Sequence, residues 1–255
     1  MGKRLTVLTL CLLLAAVPAL GERGIDRQEG QDYFPSEENW TYSYHYSVPF
    51  LAGEDDAAVL VNDTLAAVLE ESRKLTLPML AQADAMVAEG RHVIDQTGEA
   101  VCNDGVLYAI LTVRKEQVEG QTPFYALEAD TFDVSGEYLG ETLTLRGILT
   151  AYPMDGDTEA ALLSSDEMGE LLLPVLYERF RTLQAEGVCR AEVTEADFYR
   201  VCTPTVDYYP DGQGGAVFFL QPSLMTVPGP DVPTAVFSAE ELAALCRAAG
   251  NAAGK

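Results

Sequence analysis

Alternation first becomes regular at "WTYSYHYSVPF". Trp40, Tyr42, Tyr44, Tyr46 and Val48 take every second position, and Thr41, Ser43, His45 and Ser47 fill the gaps. A period of two with this many aromatics predicts a β-strand with one aromatic, buried face and one polar face carrying His45. Residues 22–38, just upstream, are polar, charged and without period, and read as a flexible stalk. From about residue 56 to 89 the pattern lengthens to that of a helix. Val59, Leu65, Val68 and Leu69 approximate its apolar face, and Glu70, Glu71, Arg73 and Lys74 follow on the polar side. Pro78 is expected to kink this helix or begin a second, and Gly90 to close it, leaving His92 facing solvent or the helix end. "VLYAILTV" and "FYALEADTFDV" read as strands, Ser135 and Gly136 mark a turn, and "ETLTL" resumes an extended run.

"DTEAALLSSDEMGELLLPVLYERFRTLQAEG" is again helical, with Leu171, Leu172, Val175, Leu176 and Phe180 as its inner face and Pro174 as an internal start or kink. Near the C-terminal end, "VDYYPDGQGGAVFFLQP" places a glycine-rich run between aromatic ones. A dinucleotide loop would need glycine where Val217 stands and a helix after it. A calcium loop would need an oxygen ligand where Tyr209 separates Asp207 from Asp211. The stretch is therefore a β-hairpin whose glycines supply positive φ. Ser238 and Glu241 form a capping box for the last helix. Strands and helices interspersed, with hairpins among them, give an α+β fold: an antiparallel or mixed sheet with helices packed on it.

The N-terminus changes the setting. Lys3 and Arg4, an apolar run over residues 5–20, and the small residues Ala19 and Gly21 predict a signal peptide over residues 1–21, with an uncleaved anchor as the rival. The protein is expected to be secreted or extracytoplasmic, in the cell envelope, with no membrane span after signal cleavage. Residues 39–250 are expected to form one domain and 251–255 a disordered tail. Sixteen Lys and Arg against 40 Asp and Glu give a formal charge of −24, and loss of Lys3 and Arg4 lowers it by two more units. Such a surface repels nucleic acid and other polyanions and attracts cationic partners.

Four cysteines follow the leader: Cys102, Cys189, Cys202 and Cys246. Cys189 and Cys202 are nearest in sequence and make the first candidate for a disulfide, worth about 3 kcal/mol. Buried free thiols are the alternative. Nucleophile-elbow, zincin and Walker motifs are all missing, so neither a catalytic residue nor a cofactor is assigned. Asp155, Asp157 and Glu159 have the alternate spacing of calcium ligands, but Ala160 stands where the sharp turn needs glycine. Carboxylates gathered at a helix start are more simply explained by the helix dipole. As binding residues the hairpin offers Tyr208, Tyr209 and Asp211, since adjacent strand residues point to opposite faces.

The order of elements from about residue 40 to 247 carries a resemblance. "TFDVSGEYLGETLTLRGIL", "VDYYPDGQGGAVFFLQPSLM" and "AVFSAEEL" resemble the aromatic-Asp, turn and alternating-leucine segment, the terminal hairpin and the closing helix of the RsiV-like extracellular domain. That is the non-catalytic domain of RsiV-type anti-sigma factors, and a related domain accompanies PdaC-type peptidoglycan deacetylases. The family's G-G-A-H stretch is replaced here by "PFYALEAD". The resemblance implies a stand-alone exported binding module whose partner is a cationic protein, lysozyme-like, or a cell-wall component. The competing expectations are an envelope hydrolase using a carboxylate pair or calcium, and a scaffold.

Overall fold

The aromatic alternation at residues 42–48 lies within the second strand of a five-stranded mixed sheet. The computed structural model describes residues 22–76, 78–79 and 90–253; the expected leader and most of residues 77–89 lie outside the described residues. The strands are β1 (Ile25–Phe34), β2 (Tyr42–Leu51), β3 (His92–Asn103), β4 (Leu107–Val118) and β5 (Phe124–Asp133), side by side in that order. Only β2 and β3 run parallel; the other neighbours are antiparallel. A parallel pair needs a long crossover. It is begun here by α1 (Asp56–Glu71), whose N-cap Asp55 accepts from Ala57 N and Ala58 N.

Tyr42, Tyr44, Tyr46 and Val48 are buried with Leu69 of α1 and Ile94 of β3, as the alternation predicts. The buried face of α1 is Ala57, Ala58, Val61, Leu65 and Leu69, however, and Val59 and Val68 are exposed. The expected face thus turns by part of a helical turn, because the small Ala57 and Ala58 are what fits against the sheet.

Residues 22–38 are not the expected stalk. Residues 25–34 are β1, paired along their whole length with β2. Their sequence shows no apolar alternation because β1 is an edge strand held largely by polar contacts. Arg73 grips Asp32 with two hydrogen bonds, Nε to Oδ2 at 2.5 Å and Nη2 to Oδ1 at 3.0 Å. Arg27 donates to Ser47 Oγ and to the carbonyl of Gly98. His92 begins β3 and stacks on Tyr42 with ring centroids 4.6 Å apart, so it belongs to the sheet.

A second layer covers one end of this sheet. It contains α2 (Leu145–Thr150), α3 (Gly156–Ala161), α4 (Ser165–Ala185), α5 (Glu195–Val201), the antiparallel sheet of β6 (Tyr208–Pro210), β7 (Gly215–Phe219) and β8 (Thr234–Ser238), and α6 (Ala239–Ala253). Its core joins Leu149, Met168, Leu172, Phe180, Phe198 and Phe218. The "LYAI" run of β4 explains how the layers meet. Leu107 and Ala109 point into this large core, Tyr108 and Ile110 into the smaller one under α1, and all four are buried. A strand covered on both faces reads as a continuous apolar run. The α+β class expected from the pattern is thus observed, with a mixed sheet and a smaller antiparallel one.

Three local expectations change. The helix predicted across residues 157–187 divides into α3 and α4, separated by Leu162, Leu163 and Ser164, and Pro174 lies inside α4. Asn251 to Ala253, expected in a disordered tail, continue α6. The four cysteines are free and buried, so the Cys189 to Cys202 bridge does not form. Cys189 makes an isolated bridge with Met225, while Cys202 ends α5, its N–H donating to Phe198 O. Burial pushes the Cys189 thiol up to about 11 and the Cys202 thiol up to about 12, so both are packed as neutral apolar groups.

Candidate functional site

The expected turn at Ser135 and Gly136 is organised by Asp133. Its buried carboxylate accepts from Ser135 N (3.0 Å) and Gly136 N (2.6 Å) on Oδ1, and from Tyr138 N (2.9 Å) on Oδ2. A Cβ at Gly136 would lie 2.5 Å from Asp133 Oδ2, which restricts that position to glycine. The chain then returns beside β5: Thr142 bridges Phe132 and Leu143 N donates to Thr131 O at 2.8 Å. The extended run ends at Thr144, which caps α2 by accepting from Gly147 N.

This doubling-back leaves three adjoining cavities along residues 130–151. The first, about 360 Å³, lies against Asp133, Glu137 and Tyr138. The second, about 370 Å³, lies between Tyr138, Glu141, Arg146 and Thr150. The third, about 220 Å³, is walled by Asp130, Thr142, Thr144, Thr205 and Tyr208. Leu143 lines all three. Tyr138 is 54% exposed at the junction of the first two.

The electrostatics of this groove are one-sided. Arg146 is the cation in its wall, and its guanidinium is turned inward to the carbonyls of Leu162 and Leu163. Glu137 and Glu141 are exposed. Neither they nor Asp130 has a side-chain hydrogen bond or ion pair among the described residues. Burial, helped by repulsion from Glu128, pushes the Asp130 carboxyl up to about 6. The groove therefore offers unengaged acceptors and an exposed aromatic ring, a combination suited to cationic side chains.

Of the predicted binding residues, Tyr208 lines this groove; Tyr209 and Asp211 lie on the hairpin outside its three cavities. β6 and β7 form the expected hairpin, with Gly212 at φ 73° and Gly214 at φ 89°. Tyr208 is only 6% exposed; its hydroxyl donates to Leu143 O at 3.4 Å, supporting the groove from beneath. Tyr209 is half-buried and stacks on Phe219. Asp211 Oδ1 accepts from Gln213 N (2.7 Å) and Gly215 N (2.8 Å), closing the turn. Tyr208 is thus packed in the core, while Tyr209 and Asp211 stay half-exposed on the hairpin. Tyr138, which the sequence reading passed over, is the displayed aromatic, and its signal was the same aspartate-and-glycine turn chemistry seen at the hairpin.

The weak calcium candidates are helix-start residues. Asp155 is the N-cap of α3 and accepts from Thr158 Oγ1 (2.7 Å) and Thr158 N (2.8 Å), which hold its carboxyl below the usual range. Asp157 and Glu159 are exposed in the first turn. Among the described residues no three or more His, Cys, Asp or Glu side chains gather as metal ligands would. His45 lies in a polar row across the open face of the sheet: Gln31, His45, Asp95 and Lys115 stand directly opposite one another on β1 to β4. His45 Nδ1 is 2.9 Å from Asp95 Oδ1, Lys115 Nζ is 3.8 Å from Asp95 Oδ2, and Gln31 contacts His45 Nε2. The row is hydrogen-bonded and lies outside the three cavities. No helix among the described residues is long and apolar enough to cross a membrane.

No family model matches the sequence, and no curated protein does. Among solved structures, the chain is similar to a DUF3298 family protein from Pseudomonas aeruginosa PAO1, with TM-score 0.46 and 14% identity over 84% of this chain and 90% of that one. It is also similar to a DUF3298 family member from Bacteroides fragilis NCTC 9343, with TM-score 0.43 and 11% identity over 87% of this chain and 92% of that one. Likeness at this level assigns neither family nor activity.

Proposed function

We propose that the protein is an exported binding module that takes a cationic protein, lysozyme-like in its charge, along the groove between β5 and α2. The observation that carries this reading is the asymmetry of the groove. Asp130, Glu137 and Glu141 are unengaged, Tyr138 is displayed, and the one lining cation, Arg146, is turned away. The chain's excess of acidic residues steers such a partner toward it from a distance. Specificity then falls to the local groove, where Tyr138 covers apolar and cationic surface and the carboxylates fix its orientation.

The test is a binding titration of the chain from residue 22 against lysozyme and a neutral protein of similar size. Binding to lysozyme at low salt, weakening as salt rises, is the expected result. Failure to bind at low salt, or equal affinity for the neutral protein, overturns the reading.

A further inference from the structure

The third cavity has a more specific chemistry than the groove as a whole. Its floor is the outer edge of β5, and most of that edge is already paired. Leu127 N donates to Gln221 Oε1 at 3.2 Å, and Gln221 Nε2 donates to Leu127 O at 2.9 Å, so one side-chain amide occupies the edge as a neighbouring strand would. Two pairs further on, the Thr131 carbonyl accepts from Leu143 N. In an antiparallel ladder the outward-pointing residues alternate. Leu127, Ala129 and Thr131 therefore present their main-chain groups to the same edge. Ala129, between the two paired positions, lines the cavity with its carbonyl available.

The far wall is fixed. Asp207 Oδ2 accepts from Thr203 N and its Oδ1 from Gln221 Nε2, both at 2.7 Å. This holds the loop carrying Thr205 and Val206 against β5. The hydroxyls of Thr142, Thr144 and Thr205 complete the lining, with Asp130 as the sole charge. Acceptors thus dominate around a partly buried carboxyl that has no partner. A cavity of about 220 Å³ has room for one cationic side-chain head together with its aliphatic stem.

The geometry points to this cavity as the receptor for one ammonium or guanidinium group of the partner, with the Asp130 carboxylate as its counter-ion and the Ala129 carbonyl and threonine hydroxyls as further acceptors. The assignment rests on the reading of the groove as a site for a cationic protein and adds an anchor to it. Lysine and arginine share the chemistry used, and a metal ion or an apolar side chain is the outcome that would replace them.

The test uses the chain from residue 22 labelled for NMR. The probes are the acetylated methylamides of lysine, arginine and norleucine, and calcium ion. Lysine or arginine probe should shift the amides of Ala129, Thr131 and Thr205, and norleucine and calcium should not. Asp130→Asn, close in shape, should weaken the effect about tenfold. Lowering the pH through about 6 should weaken it in the original chain, because protonation removes the counter-ion. It should leave Asp130→Asn unmoved. Glu128 is the one other carboxylate acting on Asp130, and the facing residues of β4, Ile110 and Thr112, are uncharged. Shifts that persist unchanged in Asp130→Asn, or that norleucine or calcium reproduces, overturn the anchor. Lysozyme binding measured on the same two proteins separates the claims. Equal binding by both defeats the anchor alone, and no binding by either defeats the groove.

Discussion

Two turns in this protein are built from the same parts and do opposite things. At the hairpin, Asp211 accepts two backbone N–H groups and glycines at positive φ close the reversal. At the end of β5, Asp133 accepts three, and Gly136 leaves room for the carboxylate. The hairpin keeps its strands paired up to the turn, so its aromatics obey the two-residue period and Tyr208 is driven into the core. The Asp133 turn is wider, and the chain makes only an isolated bridge on its return. Tyr138 is released from any strand period and stands in solvent beside Glu137. A glycine-and-aspartate turn thus displays an aromatic only when the flanking chain escapes the sheet's alternation.

The largest effect is expected at Tyr208. Tyr208→Ala should cost about 3–5 kcal/mol, because it empties a filled core position beneath Leu143. Denaturant unfolding measures it, and a loss under about 1 kcal/mol would mean the hairpin aromatic is not structural. Next come the aspartates. Asp133→Ala removes a buried carboxylate that holds three backbone N–H groups and should cost about 2–4 kcal/mol, whereas Asp211→Ala, half-exposed with two, should cost about 1 kcal/mol. Equal losses in the two would erase the distinction between the turns.

Asp130 is the opposite case, since its carboxyl is engaged with nothing among the described residues while those of Asp133 and Asp211 each accept two or more backbone N–H groups. Its folded-state pKa is raised, so the folded protein holds that proton more tightly than the unfolded chain. Stability therefore falls as pH rises from about 4 to about 6, and the penalty is complete above that range. Asp130→Asn should then stabilise the protein at pH 7 by about 1–3 kcal/mol and change nothing near pH 3. Thermal melts at the two pH values decide it; destabilisation at pH 7 would show that Asp130 has a structural partner. The smallest stability effect belongs to Tyr138→Ala, within about 0.5 kcal/mol, accompanied by roughly tenfold weaker binding of a cationic partner. A fall in binding without loss of stability distinguishes a displayed ring from a packed one.

Much of the fold was legible. The aromatic alternation located β2 and its buried face, the "PDGQGG" turn located the hairpin, and Ser238 with Glu241 located the start of α6, where Ser238 N donates to Glu241 Oε2 at 2.8 Å. β1 was not legible, because "IDRQEGQDYF" has no apolar period of its own. Its strand form is imposed by β2 and held by Arg73 and Arg27. The α1 face was misread at Val59 and Val68 because small alanines, weak hydrophobic signals, do the packing. The groove was the least legible feature. Asp130, Leu143 and Thr205 come from separate segments that meet only through the β5 edge. That the Asp130 carboxylate is left unengaged carries no mark in a sequence with 40 acidic residues.

If the groove along residues 130–150, rather than the hairpin, meets the partner, hydrogen exchange of the chain from residue 22 with and without lysozyme at low salt will show it. Protection is expected at residues 137–147 and should disappear as salt is raised, with the amides of Gln213 and Gly214 unchanged. Protection at the hairpin turn, with none at residues 137–147, would contradict it.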